Sequence, residues 1–188
     1  LCGHALGPEA IDASSPLEPR NVYAATKLRQ EPLCPAYGRE HDATVVALRY
    51  HNVYGPRMQR DTPYAGVASI FRSELEAGRA PVVFEDGGQL RDFVHVRDVA
   101  RANVAALTVD DARPGAYNVA SGQRHTVLEM AEAITAAHGG PVHTPEVVPR
   151  YRLGDVRHVF GAIGAAAEGL GFVPEVEFSA GMREFAVA

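Results

Sequence analysis

The chain has 188 residues, a formal net charge of −5 and 46% hydrophobic residues, the composition of an ordinary folded domain. Its acidic balance argues against a nucleic-acid surface, which needs a basic stripe, and no apolar run approaches the ~20 residues that cross a bilayer. Residues 1–8 lack the basic start and apolar core of a signal peptide. Cys2 and Cys34 make no disulfide framework, so the expected setting is the reducing cytoplasm. Leu1 stands where an initiator methionine would, which points to a processed chain or a part of a longer one.

Residues 7–21 are loop-like, with Pro8, Pro16 and Pro19 among acidic and hydroxyl residues. Asn21 is placed to cap a helix from Val22 toward His41, but Pro32 and Pro35 fall inside it. An interior proline costs about 3 kcal/mol, so the helix is expected to kink or stop near residue 31. "ATVVALRY" (43–50) has the β-branched pattern of a strand buried on both faces. "HNVYGPRMQRDTP" reads as a loop, 64–78 as a helix stopped by Gly78, "PVVFED" and "RDFVHV" as strands around a "GGQL" turn. "VRDVARANVAALTV" is an amphipathic helix and "GAYNVAS" a strand. "TVLEMAEAITAAHG" is a helix with Thr126 as cap and Gly139 as stop. Residues 146–150 form a possible strand, and "AIGAAAEGLGF" and 178–187 two further helices. Alternating strands and helices define an α/β class with a largely parallel sheet.

"NVYAATKLRQE" (21–31) carries the first candidate chemistry. Tyr23 and Lys27, four apart on a helix, lie on one face. A free tyrosine has a pKa near ~10, too high for a base at neutral pH. A neighbouring ammonium favours the phenolate. A tyrosine so placed can take a proton from a sugar hydroxyl. Tyr-x-x-x-Lys is common by chance, and the spacing equally fits an ordinary aromatic beside a surface cation.

Context sharpens the choice. "SPLEPRNVYAATK" resembles the active-site segment of the extended short-chain dehydrogenase/reductases, the NAD-dependent sugar epimerase/dehydratase family. "LRYHNVYGPR" (48–57), "VFEDGGQLRDFVHVRDVARAN" (83–103), "AYNVASG" (116–122) and "RLGDVRH" (152–158) resemble four later segments of that family, in the same order, with UDP-glucose 4-epimerase-like members most similar. The resemblance implies a C-terminal portion only: the last part of a Rossmann-like parallel sheet plus the smaller substrate-binding lobe. About 1–62 would hold the active-site helix and last Rossmann strands, and about 63–188 mostly the substrate-binding lobe with interleaved Rossmann elements.

The resemblance implies that Tyr23 transfers the proton and that Lys27 bonds the nicotinamide ribose and lowers the tyrosine pKa, with NAD as cofactor. Thr26 supports the helix face or the substrate. His51 stands where the family usually has phenylalanine beside the cofactor. Asn52 matches an asparagine that contacts the sugar nucleotide, and Arg91 and Arg152 match two arginines of the diphosphate site, which guanidinium forks suit. Asp92, His95 and Asp98 lack metal-ligand spacing, no metal is expected, and Asp98 is expected to cap the following helix. Asp155 is expected to anchor a turn. Cys2 in "LCGH" resembles half of a Cys-x-x-Cys zinc knuckle found in some relatives, but Cys2 and His4 alone make no tetrahedral site.

The family's Gly-x-x-Gly-x-x-Gly fingerprint, which brings backbone to the pyrophosphate, is not in these 188 residues. "GAIGAAAEGLG" (161–171) follows no clear strand and is rejected as a substitute. The expected activity is transient oxidation at C4 of a nucleotide sugar, UDP-sugar favoured, by a UDP-glucose 4-epimerase-like enzyme. A 4,6-dehydratase or reductase of the same family, or a non-catalytic sugar-nucleotide-binding remnant, remain alternatives. A homodimer through the active-site helix is possible, with the two prolines weighing against it.

Overall fold

The computed structural model describes residues 9–60, 62, 65–140, 143–152 and 154–188. Cys2 and His4, and with them the zinc-knuckle reading, lie outside the described residues. In chain order the elements are α1 (Val22–His41), β1 (Val46–Tyr50), β2 (Asn52–Tyr54), α2 (Val67–Glu76), β3 (Val82–Phe84), β4 (Leu90–Arg91), β5 (Phe93–His95), α3 (Val96–Thr108), β6 (Gly115–Val119), β7 (His125–Thr126), α4 (Val127–Ala137), β8 (Glu146–Val148), α5 (Gly164–Leu170) and α6 (Phe178–Val187). Three strand pairs are parallel, β1 with β6, β2 with β5 and β3 with β8; β4 and β7 are antiparallel. Among the described residues, no helix is long and apolar enough to cross a membrane.

Residues 46–54 form one extended run that changes partner midway. β1 pairs with β6 up to Tyr50, the His51 amide donates to the Val119 carbonyl, and the Asn52 amide donates to the Asp92 carbonyl, where pairing passes to β5. β2 lies within the stretch predicted as a loop. Its three residues fall just before the Gly-Pro break that dominates the sequence signal.

This change of partner separates two apolar cores, and strand periodicity divides the side chains between them. Val53 and Val94 face one way, against β1, β6, α3 and α5, with Val99, Ala102, Tyr117, Val119, Leu170 and Phe172 buried there. Tyr54 and Phe93 face the other way, among Phe71, Leu75, Met130, Ile134, Met182 and Phe185 of α2, α4 and α6. Gly181 lets α6 approach: a Cβ there would fall 2.2 Å from the Tyr54 hydroxyl. The predicted double-sided burial of β1 is not met. Val46–Arg49 are half-buried and Tyr50 is exposed, because β1 pairs only with β6 among the described residues and one of its faces looks onto the largely exposed α1.

Caps follow local chemistry. Asn21 accepts from the Ala24 amide at 2.8 Å, as its position predicts. Thr126 and Glu129 close a reciprocal capping box on α4, and Gly139 follows in the left-handed region. At α3 the expectation is corrected. The cap is His95, whose Nδ1 accepts from the Arg97 amide, while Asp98, in the first turn, turns away to accept the Glu175 and Val176 amides at 3.1 and 3.0 Å. Those amides precede α6, so a buried carboxylate is spent on joining two elements.

The predicted stop near residue 31 does not occur: α1 runs 20 residues through Pro32 and Pro35. Each proline removes one intrahelical hydrogen bond. Contacts outside the helix flank the two prolines. Glu31 is bound by Arg49, and Gly38 is seated so closely that a Cβ would meet the Ala43 carbonyl at 2.6 Å.

Candidate active site

The cap at Asn21 starts the helix so that Tyr23 and Lys27 emerge on one exposed face. The Lys27 ammonium lies 5.6 Å from the centre of the Tyr23 ring. Burial therefore does not hold the pair; their helix does. The Thr26 hydroxyl donates to the Tyr23 carbonyl at 2.8 Å, a bond within the helix.

His51 sits at the change of partner between β1 and β2. Its ring lies against Gly161, where a Cβ would come 2.5 Å from Nε2. Burial pushes its pKa down, with the Asp92 carboxylate opposing. Asp92 is fully buried and accepts from the Ser121 amide (2.6 Å), the Ser121 hydroxyl (2.8 Å) and the Gly122 amide (3.0 Å). Burial nevertheless raises its pKa, and the three donors and His51 act against that. Asp92, His95 and Asp98 thus take separate partners: Asp92 and Asp98 tie distant backbone segments together, and His95 caps its own helix.

Asn52 is exposed at the start of β2, next to His51 and, through its amide, next to Arg91–Asp92. Arg91 is held fast. Nη1 donates to the carbonyls of Leu90 (2.8 Å) and Arg157 (2.9 Å), and Nη2 to that of Val156 (2.7 Å). Burial lowers its pKa, while Asp155 and Glu85 raise it. In this structure Arg91 therefore shapes the loop that carries Arg152. Arg152 itself is exposed, and its carbonyl accepts from the Asp155 amide at 3.1 Å, which closes the turn expected around Asp155. A second arginine, Arg157, latches the same loop to the turn after β3 through Glu85 (2.8 Å) and Asp86 (2.6 Å), holding the Asp86 carboxyl down at about 2. The loop also reaches the entry of α1: a Cβ on Gly154 would lie 3.7 Å from the Arg20 carbonyl. The structure thus brings Tyr23 and Lys27 together. It sets His51, Asn52 and Arg91 along one connected stretch of strands, and it seats the Arg152 loop between that stretch and the start of α1.

Three residues that motif reading passes over also converge here. Arg49 on β1 grips Glu31 on α1 with Nε and Nη2, at 2.8 and 2.6 Å, and the Ala13 carbonyl with Nη1 at 2.9 Å. Asn118 on β6, its cross-strand neighbour, donates to the carbonyls of Ile11 (2.8 Å) and Ala162 (3.3 Å). The available signal was a single polar residue interrupting each apolar strand.

The Tyr23 hydroxyl and the Lys27 ammonium on one exposed face are groups that could hydrogen-bond the ribose of a dinucleotide. The glycines of 161–171 offer no pyrophosphate cradle. Gly161 is taken up by His51, a Cβ on Gly169 would fall 2.6 Å from the Tyr117 ring, and α5 is only seven residues long.

Residues 3–120 match the NAD dependent epimerase/dehydratase family, and the chain belongs to that family. It is 34% identical over 97% of its length to a dTDP-L-rhamnose 4-epimerase of Burkholderia thailandensis, covering 49% of that protein. It is 33% identical over 90% of its length to a dTDP-glucose 4,6-dehydratase of an Actinoplanes species, covering 51% of that protein. Among solved structures it superposes on the Thermus thermophilus UDP-glucose 4-epimerase complex with NAD, with a TM-score of 0.82 and 34% identity, covering 95% of this chain and 57% of that one. The chain therefore spans about half the length of the curated relatives it matches.

Proposed function

We propose that this chain is the catalytic-helix and substrate-lobe portion of an NAD-dependent nucleotide-sugar 4-epimerase. The core around β1, β6, α3 and α5 would serve the dinucleotide side, and the core around α2, α4 and α6 the sugar-nucleotide side. The single observation that carries this reading is the shared exposed face of Tyr23 and Lys27, with the Arg152 loop resting against the entry to the same helix.

In this reading the Tyr23 phenolate takes the proton of the sugar 4-hydroxyl, and the phenol so formed later returns it. The Lys27 ammonium stabilises the phenolate before the proton is taken and after it is returned, and binds the nicotinamide ribose. Bound NAD would supply the acceptor for the C4 hydride and its donor on return. Asn52 and Arg152 hold the sugar nucleotide, with the diphosphate on guanidinium. Arg91 contributes through its grip on the Arg152 loop as well as by charge. His51 closes the site behind the nicotinamide. UDP-sugars are the favoured substrates, because the Thermus thermophilus relative is a UDP-glucose 4-epimerase and other similar structures are UDP-sugar enzymes or complexes. A 4,6-dehydratase outcome is the second reading, favoured by the Actinoplanes relative. An α1-to-α1 homodimer is supported by Val22, Leu33 and Tyr37, which are 82%, 68% and 60% exposed and recur on one helix face. A cytoplasmic setting fits the sparse cysteines.

The substrate half of the proposal is tested by calorimetric titration of the chain with UDP-glucose. Binding that Arg152→Ala weakens about tenfold or more is expected from loss of a charge-assisted contact. A folded chain with no affinity for UDP-glucose or dTDP-glucose would overturn the assignment.

A further inference from the structure

We infer that Arg49 and Asn118 are positioning residues: a cross-strand clamp that fixes the Tyr23–Lys27 helix, and the loop leading into it, against the sheet. The inference rests on the proposed role of Tyr23 but is drawn from contacts that role does not use. Arg49 and Asn118 are paired in the β1–β6 register, so their side chains leave the sheet side by side. Asn118 is only 4% exposed, in the middle of a strand. A polar group so placed is costly unless it is hydrogen-bonded. Its bonds go to the carbonyls of Ile11 and Ala162, and the Ala162 amide in turn donates to the Ile11 carbonyl next to the Ile11–Gly161 bridge.

Arg49 spends its whole fork on two segments. Two of its nitrogens meet both Glu31 oxygens, and the third meets the Ala13 carbonyl. Glu31 lies one turn beyond Lys27, immediately before Pro32. At Pro32 the helix loses the hydrogen bond that would run back to Leu28, so it holds its own rotation least well there. The clamp acts at that point. It sets the rotation of α1 about its axis, hence the direction in which Tyr23 and Lys27 face, and it fixes the loop through residues 11 and 13. A lysine at 49 would supply one point charge and could not span Glu31 and Ala13 together.

The test is amide hydrogen exchange by NMR on the chain with Arg49→Lys, Glu31→Gln or Asn118→Ser. The Tyr23 ring resonances are recorded in the same samples. The clamp predicts that amides of residues 25–31 exchange about tenfold faster and that the Tyr23 ring signals move, while amides of α4, in the other core, keep their rates. Equal acceleration of α1 and α4 in every variant would show general destabilisation and overturn the inference. So would unchanged α1 rates. If Asn118→Ser does not fold, the two pair variants decide. In a preparation that turns over, Arg49→Lys is expected to lower kcat about tenfold with KM for the nucleotide sugar unchanged. An unaltered kcat on a loosened helix would overturn the positioning role. Should Tyr23→Phe leave turnover intact, the catalytic reading fails while the exchange result still judges the clamp.

Discussion

At the scale of residues, two kinds of ionisable group occupy the neighbourhood of α1. Tyr23 and Lys27 are exposed and depend on helix geometry alone, whereas Glu31 and Arg49 are partly sheltered and depend on each other. The hydrogen bonds from Arg49 hold the Glu31 carboxyl below its ordinary value of 4.5. A depressed carboxylate pKa means that the folded state prefers the ionised form. Its stabilisation is complete above 4.5 and fades as pH falls through the lower folded value. Protection of α1 amides, followed by hydrogen exchange, should therefore hold from neutrality to mildly acid solution and drop below 4.5. Glu31→Gln should abolish that pH dependence. A protection profile with the same acid limb in Glu31→Gln would show that another group is responsible. The sequence made Tyr23 and Lys27 visible through spacing and the segments that follow. It hid Arg49 and Asn118, because one polar residue in an apolar strand names no partner until the fold brings a loop carbonyl to it.

At the scale of elements, tertiary contacts decide where local preference is weak or opposed. The prolines of α1 predicted a break, and the helix continues because Arg49 and the Gly38 contact anchor it on both sides of them. The strand β2 went unseen because three residues carry little periodicity and a Gly-Pro follows. By contrast α4, with its Thr126–Glu129 box and terminal Gly139, was legible to within a residue or two, since cap, periodicity and stop agree. Asp98 shows why a cap prediction can fail in identity while succeeding in place: His95 serves the helix, and Asp98 serves the approach to α6. Asp98→Ala should cost roughly 1.5–3 kcal/mol in denaturant unfolding, the range for hydrogen bonds to a charged group. Arg101→Ala, which removes a 40% exposed partner of the same carboxylate, should cost about 1 kcal/mol or less. Equal costs for the two would place the worth of Asp98 in its ion pair instead of in the α6 junction.

At the scale of the molecule, two cores share one run of strand, and the candidate site lies where that run changes partner. His51 occupies the change, Asn52 and Arg91 border it, and the Arg152 loop spans from Arg91 to the entry of α1. The α/β class and parallel pairing were legible from alternating patterns. Which side chains enter each core was not, because it depends on which face each of Val53, Tyr54, Phe93 and Val94 presents. The central claim is that Tyr23 moves the proton at sugar C4. Its most direct test is proton NMR of UDP-glucose incubated with NAD and a preparation already shown by calorimetry to bind NAD, comparing the native protein with Tyr23→Phe. Inversion at C4 that slows about 10²–10⁴-fold in Tyr23→Phe, with NAD affinity retained, is the predicted result. Inversion at the native rate in Tyr23→Phe, or no chemistry at C4 of any nucleotide sugar by the NAD-bound native protein, would contradict it.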